Sequence, residues 1–313
     1  MEKTKPEISI IIPVHNGQEH LEKCLLSIKN QSFTDYEVLV VNNGSTDNTQ
    51  KIAESFSESD KRFITIKHNH GGAGETRNIG IDRASGNYLA FVDSDDVVLD
   101  KYLENLYRAI KSCNADVAVC GYNLYFRNSD KIIRRYKVEN KIYEKEAAIK
   151  EIVRDRKMRF YLWNKLWRRS LFSDNGISIP DMYYEDAVVC TMLFCHINKV
   201  VTTDYCGYSY IRASSDIYKE VQMTGTRIND YINTIPMMRN YLEETGYYKT
   251  AKTPFTRHIF HVFFSVPSLC VQARKSLDNG VLKNSFSGLG KVIKSCNAKP
   301  SELEDITNWK AIV

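Results

Sequence analysis

Apolar runs alternate with stretches of helical periodicity along roughly the first 120 residues. The run Ile8–Val14 is almost entirely apolar, and the apolar residues after it recur at helical spacing. A strand that is apolar at consecutive positions is typical of a parallel sheet covered on both faces. The same pattern predicts later strands over 36–41, 63–67, 88–92 and 117–120, and helices over 46–57, 75–84 and 100–113. Strands alternating with helices predict an α/β fold, Rossmann-like, with a mostly parallel sheet and helices on both faces.

The pattern changes after residue 121. Alternating positions predict a hairpin over 123–136, and helical spacing predicts helices over 144–156 and from Glu185 onward. Two further strands are predicted over 199–203 and 205–211, and beyond about residue 216 only helical patterns remain. We therefore expect a boundary near residue 215, between a first domain over 1–215 and a C-terminal helical region over 216–313.

The composition is that of an ordinary globular protein, with 43% hydrophobic and 26% charged residues. The net charge of +5 excludes a protein that coats nucleic acid by bulk charge, so we expect no nucleic-acid partner. The N-terminus lacks an apolar signal stretch, which predicts a cytoplasmic location. The longest apolar window, 259–271, is interrupted by polar residues and is too short to span a bilayer.

The small net charge is a cancellation between basic and acidic segments. Residues 127–169 hold 15 Lys and Arg against six Asp and Glu, and residues 249–294 hold eight against one. Two interpretations stay open. The segments could favour an anionic substrate or the phospholipid surface at the inner face of the plasma membrane, or they could form solvated helical faces.

Polar clusters follow the first, second and fourth predicted strands, at 13–16, 42–47 and 93–96. The carboxyl ends of parallel strands form one edge of a sheet, where ligands bind. The last cluster has three carboxylates within four residues, which repel one another unless a cation or hydrogen-bond donors lie between them. Such oxygen ligands suit Mg²⁺ or Mn²⁺. The alternative is that Asp95 and Asp96 only begin a turn before the next helix.

Two further segments carry candidate chemistry. Residues 71–80 are glycine-rich and begin a helix, but Arg77 stands where a dinucleotide fingerprint needs glycine. The loop could let backbone approach a ligand while Arg77 binds phosphate or ribose oxygens, or it could be a helix entry with a surface arginine. Glu185 and Asp186 begin another helix, where acidic residues also favour the helix dipole.

Taken in order, these motifs resemble the family 2 glycosyltransferases of the GT-A fold, in particular bacterial enzymes that build capsular, exopolysaccharide or teichoic acid glycans. The resemblance covers residues 7–213 and rests on the strings Ser9–Asn16, Gly44–Asp47, Thr76–Gly80, Gly86–Asp96, Trp163–Leu166 and Tyr184–Asp186. It implies a GT-A catalytic domain over 1–215, in which 7–121 bind the nucleotide sugar and 122–215 bind the acceptor and supply the base.

The resemblance also implies a role for each matching residue. Asp95 would be the direct ligand of Mn²⁺ or Mg²⁺, with Asp93 beside it in the metal site. Asp186 and Glu185 would be the catalytic residues, with Asp186 as the general base. The residues implied to bind the donor are Pro13, His15, Asn43, Arg77, Asp93, Ser94 and Asp95. The segment from Tyr210 to Ser215 resembles the region that closes over the diphosphate.

The implied function is transfer of a sugar, with inversion, from a nucleoside diphosphate sugar to a hydroxyl of a glycan, lipid-linked or polyol-phosphate acceptor. UDP is the expected nucleotide, but Asn42 and Asn43 stand where the family usually has aspartates, so other bases stay open. His15 likewise replaces the usual tyrosine. A sugar nucleotidyltransferase and a catalytically idle subunit of a glycan-assembly complex are the alternatives. The C-terminal helices could build the acceptor site, join copies into a homo-oligomer or touch a membrane.

Overall fold

The computed structural model describes residues 5–69, 71–127, 129, 131–212, 224–272 and 287–291. The chain divides into two compact units. The first comprises Met1–Lys145, Tyr161–Met182 and His196–Ser215, and the second comprises Glu146–Phe160, Tyr183–Cys195 and Asp216–Val313. The last crossing of the chain between the two units falls between Ser215 and Asp216. The second unit is not confined to the residues after it, because it also takes two earlier segments.

The first unit is built on one sheet. Its strands are β1 (Ile8–Val14), β2 (Tyr36–Asn43), β3 (Phe63–His68), β4 (Tyr88–Phe91), β5 (Val97–Val98), β6 (Val117–Phe126), β7 (Ile132–Tyr136), β8 (Lys141–Glu144), β9 (Lys165–Arg168) and β10 (Lys199–Arg212). Its helices are α1 (Leu21–Lys29), α2 (Thr49–Ser59), α3 (Ala73–Arg83), α4 (Tyr102–Ser112) and the short α6 (Ser170–Ser173). The strand order is β3-β2-β1-β4-β9-β6-β10-β5, with β7 beside β6 and β8 beside β10.

Pairing is parallel across β3, β2, β1 and β4, as the alternation of strands and helices predicts. β6 and β10 are also parallel to each other. Between these two blocks, β9 runs antiparallel to both β4 and β6. β5, β7 and β8 also pair antiparallel, so the sheet is mixed. The sequence prediction missed β9 because this short aromatic segment has neither a period of two nor a crossover helix of its own.

Both faces of the sheet carry helices, as expected. Ile10 and Ile12 of β1 lie in one apolar cluster with Leu25 of α1 and Leu106 of α4. The intervening Ile11 points to the other face, where a Cβ atom on Gly80 of α3 would lie 2.4 Å from its Cγ2 atom. Gly80 therefore lets α3 approach the sheet closely.

The two strands predicted between 199 and 211 form the single strand β10. Its register against β6 shifts between Thr203 and Cys206 and again between Cys206 and Tyr208. These irregularities explain why the alternation breaks in the sequence although the strand continues.

The second unit is helical in the part that the structure describes. α5 (Lys145–Val153) lies in it apart from its first residue, together with α7 (Glu185–Phe194), α8 (Gly225–Glu244) and α9 (Tyr248–Gln272). α7 packs against α8, and α8 packs against α9. No helix in the described ranges is both long and apolar enough to cross a membrane. Of the helical region predicted over 216–313, residues 216–223, 273–286 and 292–313 lie outside the described residues.

Candidate active site

The polar ends of β1, β2 and β4 meet at one edge of the sheet. Val14 of β1 lies opposite Asn42 of β2, and Ile11 lies opposite Phe91, just before the acidic cluster. The structure therefore brings the predicted donor-binding residues of the first unit to the same edge. Partly buried Pro13 lies within β1, and partly exposed Ser94 lies in the turn between Asp93 and Asp95.

The imidazole of His15 is held at both of its nitrogens. Its Nδ1 lies 2.7 Å from the carbonyl oxygen of Asn43, which can only accept a hydrogen bond. Its Nε2 lies 3.2 Å from Nδ2 of Asn16, whose Oδ1 accepts from the backbone N–H of Thr46. These partners select the neutral tautomer with hydrogen on Nδ1. The ring is exposed and has a fixed orientation, so it can lie against a planar ligand.

The carboxamide of Asn43 bonds to the backbone of the glycine loop. Its Nδ2 donates to the carbonyl oxygen of Gly71, and its Oδ1 accepts from the N–H of Gly71 over 2.9 Å. A carboxylate could make only the second of these bonds. Asn43 therefore ties the end of β2 to the loop that begins α3.

Arg77 is not a surface arginine, because it is 7% exposed. Its Nη2 donates to Oδ1 of Asp93 over 3.0 Å. The sequence alternatives for Arg77 were a ligand contact or a helix entry with a surface arginine. The structure excludes the surface position and shows a buried guanidinium that orients the first aspartate of the acidic cluster.

The three carboxylates of the acidic cluster have different environments. Asp96 is 1% exposed, and its two oxygens accept from the hydroxyl of Tyr208 and the N–H of Ile211, each over 2.7 Å. Burial raises the pKa of Asp96 well above its usual range, and the charges of Asp93 and Asp95 add to this. The role of Asp96 is therefore to bind the loop to β10, which the spacing of the carboxylates alone could not show.

Asp95 has a side chain that is 44% exposed and faces a cleft, where Nη2 of Arg127 lies 3.7 Å from its Oδ2. The pKa of Asp95 is raised above its usual range. Burial is the larger cause, and the charge of Asp93 is the next largest. A cation would relieve this repulsion. Among the described residues, no group of three or more His, Cys, Asp or Glu side chains forms a metal cluster. Two carboxylates suit an ion that keeps water and substrate oxygens among its ligands, as Mg²⁺ and Mn²⁺ do.

Glu185 and Asp186 lie in the second unit, in the first turn of α7, and both are partly buried. The residue before them, Tyr184, has a φ of 64°, which is rare for a bulky side chain. Its ring packs on Tyr231 of α8 with 4.6 Å between centroids. The N–H of Tyr183 donates to Oδ2 of Asp230 over 3.0 Å. α8 thus supports the strained turn that presents Asp186, and no local sequence signal identified these supporting residues.

Lys165 is a second residue that sequence reasoning did not single out. Its side chain is fully buried, and its Nζ donates to the carbonyl oxygen of Tyr161 and to Oδ1 of Asn164. Nδ2 of Asn164 in turn donates to the carbonyl oxygen of Cys120 on β6. The string Trp163–Leu166, which contains Lys165, was the sequence feature that could have pointed to this residue. Lysine is rarely fully buried in proteins, so its burial here indicates a specific role.

The segment expected to close over the diphosphate is described only in part. Tyr210 and Arg212 belong to β10, and the Arg212 guanidinium lies 5.3 Å from the centre of the Tyr210 ring. Ser214 and Ser215 lie outside the described residues.

Comparison with known proteins identifies related chains. The family model described as "Glycosyl transferase family 2" matches residues 9–174. Glycosyltransferase GlyA of Streptococcus pneumoniae is 32% identical over 212 residues, which cover 65% of this chain and 30% of that protein. Putative glycosyltransferase EpsH of Bacillus subtilis is 34% identical over 180 residues, covering 56% of this chain and 51% of that protein. The chain thus matches about a third of the length of GlyA and about half of the length of EpsH.

Two solved structures share the fold. One is S. aureus TarS 1–349 in complex with UDP-GlcNAc, with a TM-score of 0.73, 20% identity and coverage of 93% of this chain and 81% of that one. The other is the mannosyltransferase PcManGT of Pyrobaculum calidifontis in complex with GDP-Man and Mn²⁺, with a TM-score of 0.56, 15% identity and coverage of 94% and 83%. This likeness confirms the expected GT-A fold.

Proposed function

The chain belongs to glycosyl transferase family 2, and we propose that it transfers a sugar from a nucleoside diphosphate sugar to an acceptor hydroxyl in the synthesis of a cell-surface polysaccharide. The observation that carries the proposal is the meeting of His15, Asn43 and the Arg77–Asp93 pair with Asp95 at one edge of the sheet. This is the edge where open α/β sheets bind ligands.

The exposed His15 ring supports a site for the nucleobase. UDP is the expected nucleotide by resemblance, and TarS was solved with UDP-GlcNAc whereas PcManGT was solved with GDP-Man. Since both polar atoms of the Asn43 side chain already bond to Gly71, we infer that Asn43 shapes the base pocket rather than reads the base.

Asp95 and Asp93 would hold Mn²⁺ or Mg²⁺. The ion would supply positive charge to offset the negative charge that develops on the departing nucleoside diphosphate. Arg77 would keep Asp93 in position, and the Tyr208–Asp96 hydrogen bond would fix the loop that carries both ligands.

Asp186 would act as general base. Its carboxylate would take the proton of the acceptor hydroxyl as that oxygen bonds to the anomeric carbon of the donor sugar. The bond from the anomeric carbon to the diphosphate oxygen would break in the same step, which inverts the anomeric configuration. A carboxylate contributes here through its position, because the hydroxyl becomes acidic only in the transition state.

A donor panel tests the proposal. The protein would be incubated with Mn²⁺ and UDP-, GDP-, CDP- or dTDP-sugars, and the released nucleoside diphosphate would be measured, with Asp95→Asn as the inactive control. We expect the wild type to release the nucleoside diphosphate from one class of donor, and we expect Asp95→Asn to release none. No release from any donor would favour the idle-subunit alternative, and formation of pyrophosphate from a nucleoside triphosphate and a sugar phosphate would favour the nucleotidyltransferase.

A further inference from the structure

An open cleft of about 580 Å³ adjoins Asp95 in the first unit. Residues that line it include His20, which directly precedes α1, Lys23 of α1, Asp95 itself, and Tyr125, Phe126 and Arg127 at the end of β6. Of the predicted donor-binding residues, the cleft contains Asp95 but not His15, Asn43 or Arg77.

The order of the strands separates this cleft from the predicted nucleotide site. His15 follows β1 and Asn43 is the last residue of β2, and both strands lie on one side of β4, which leads into the acidic cluster. The cleft instead lies over β6, β10 and β5, which contribute Phe126, Ile211 and Val97. A molecule in the cleft would therefore reach the acidic cluster from the side opposite the nucleotide.

Two basic side chains, Lys23 and Arg127, line this cleft. The N–H of Arg127 donates to the carbonyl oxygen of Arg212 where β6 and β10 pair, so the backbone of Arg127 continues the sheet. Lys23 precedes Cys24, which is buried and donates its thiol hydrogen to the carbonyl oxygen of Asp93 over 3.6 Å. α1 is thus fixed against the acidic cluster.

The charge in the cleft changes when Asp95 holds a divalent cation, the premise that this inference takes from the proposed function. Within the described ranges, Arg127 forms an ion pair with Asp95 alone, and Lys23 forms none. Once the metal takes up the Asp95 carboxylate, Glu19 is the remaining carboxylate that lines the cleft among the described residues, against these two cations. The cleft then favours an anionic ligand.

We propose that this cleft binds a phosphate group of the acceptor, with Arg127 and Lys23 as its two cationic contacts. Guanidinium and ammonium groups are the side chains that make charge-assisted hydrogen bonds to phosphate oxygens. The rings of Tyr125 and Phe126 offer apolar surface to the carbon skeleton next to that phosphate. The substrate class is an acceptor chain that carries phosphate esters.

Equilibrium binding tests the proposal without turnover. The probes are a synthetic hexamer of glycerol phosphate and, as a neutral comparison, maltohexaose, each added to the full chain with UDP and Mn²⁺. We expect Lys23→Gln and Arg127→Gln each to weaken binding of the glycerol phosphate hexamer about tenfold, the loss typical of one charge-assisted hydrogen bond. Calorimetric affinity for UDP with Mn²⁺ should change less than about twofold in Lys23→Gln, and it should not fall in Arg127→Gln, because that change removes a positive charge that competes with the metal for Asp95.

Matched controls come from the same elements. Lys29→Gln lies in the last turn of α1, and Arg134→Gln lies on β7, and neither residue lines the cleft. Both controls should bind the hexamer as the wild type does. Raising the salt concentration from a low value to about 0.15 M should weaken hexamer binding more in the wild type than in the two cleft variants.

Three outcomes would overturn the proposal. Unchanged hexamer binding in both cleft variants would exclude the contacts, and an equal loss of UDP affinity would assign the two cations to the donor diphosphate. Loss of binding to phosphatidylglycerol vesicles with unchanged hexamer binding would indicate a membrane surface instead. A donor panel without nucleotide release would refute the proposed function, whereas the binding result would stand by itself.

Discussion

The hydroxyl of Tyr208 donates to Oδ2 of Asp96 over 2.7 Å and accepts from the N–H of Asp93 over 3.1 Å. Tyr208 has no exposed surface, and Asp96 is 1% exposed. One buried phenol on β10 therefore sets the conformation of the loop that presents Asp93 and Asp95. The loop is positioned from the far half of the sheet rather than by its own turn.

Replacing Tyr208 by Phe keeps the ring but removes both hydrogen bonds. We expect Tyr208→Phe to lower the free energy of unfolding by about 1.5–3 kcal/mol, because a buried carboxylate loses its donor. It should also raise the Mn²⁺ concentration needed for half-maximal UDP binding by about tenfold, because the acidic loop is no longer held in place. Denaturant unfolding and calorimetric titration measure the two effects.

The control for Tyr208→Phe is Tyr36→Phe. Tyr36 is 3% exposed and donates to the carbonyl oxygen of Ile28 over 2.8 Å, at the start of β2 and away from the acidic cluster. Tyr36→Phe should cost stability without a change in the Mn²⁺ requirement. A matching rise in that requirement in both variants would mean that the effect is only a general loss of stability.

Replacing Asp186 by Asn should remove the base but keep the shape of the turn. We expect the turnover number to fall about 100-fold or more, which is the scale of general-base catalysis. The affinity for UDP with Mn²⁺ should stay within about twofold, because Asp186 has no proposed role in donor binding. Steady-state kinetics with the best donor measure the turnover number. The same measurement on Glu185→Gln is the control at the neighbouring carboxylate. Full activity in Asp186→Asn would refute the assignment.

Replacing Asn43 by Asp tests whether this side chain shapes the base pocket or reads the base. The aspartate cannot donate to Gly71, so we expect stability to fall by about 0.5–1.5 kcal/mol, the worth of one ordinary hydrogen bond. If Asn43 only ties β2 to the glycine loop, the affinities for UDP and CDP should change by the same factor. A selective change for one nucleotide in calorimetric titration would show instead that residue 43 contacts the base.

The stability of the second unit should depend on pH through His258. This residue of α9 is 6% exposed and packs edge-on to Phe160 with 5.4 Å between ring centres. Burial first, and the charge of His261 second, lower the pKa of His258 to about 3. Between the ordinary histidine pKa of about 6.5 and that value, the unfolded chain binds a proton that the folded chain does not.

Stability should therefore fall as the pH drops below about 6.5, by up to about 1.4 kcal/mol per pH unit for this group. We expect His258→Leu to lose less stability than the wild type between about pH 6.5 and pH 5. Thermal unfolding over this range measures the difference. The pKa of His261 is lowered too, again by burial first, so some acid sensitivity should remain. Identical pH profiles for the two proteins would contradict the prediction.

Local pattern was sufficient to predict much of the first unit. Strands buried between two layers of helices must be apolar at consecutive positions. Ile8–Val14 and the apolar runs after it can therefore be recognised as strands from the sequence. Because parallel strands end at one edge, the polar residues that follow them were expected to meet. The pairing of Val14 with Asn42 and of Ile11 with Phe91 confirms this.

Contacts between residues far apart in the chain had to come from the tertiary structure. Asp93, Asp95 and Asp96 are equivalent by spacing, and burial against Tyr208, 112 residues after Asp96, distinguishes the last of them. Asn43 accepts a hydrogen bond from Gly71, which lies 28 residues later in the chain. Neither relationship leaves a local period in the sequence, because it depends on which strands become neighbours.

The limit of local pattern is clearest at β9 and α7. The segment Lys165–Arg168 becomes a strand only because β4 and β6 leave a place between them. α7 is predicted as a helix from its own periodicity, yet packing against α8 places it in the second unit. Periodicity and residue type thus determined the order of strands and helices and the edge where the chemistry lies. Burial and long-range pairing decided which carboxylates remain open to a ligand, because they depend on neighbours that the chain meets only after folding.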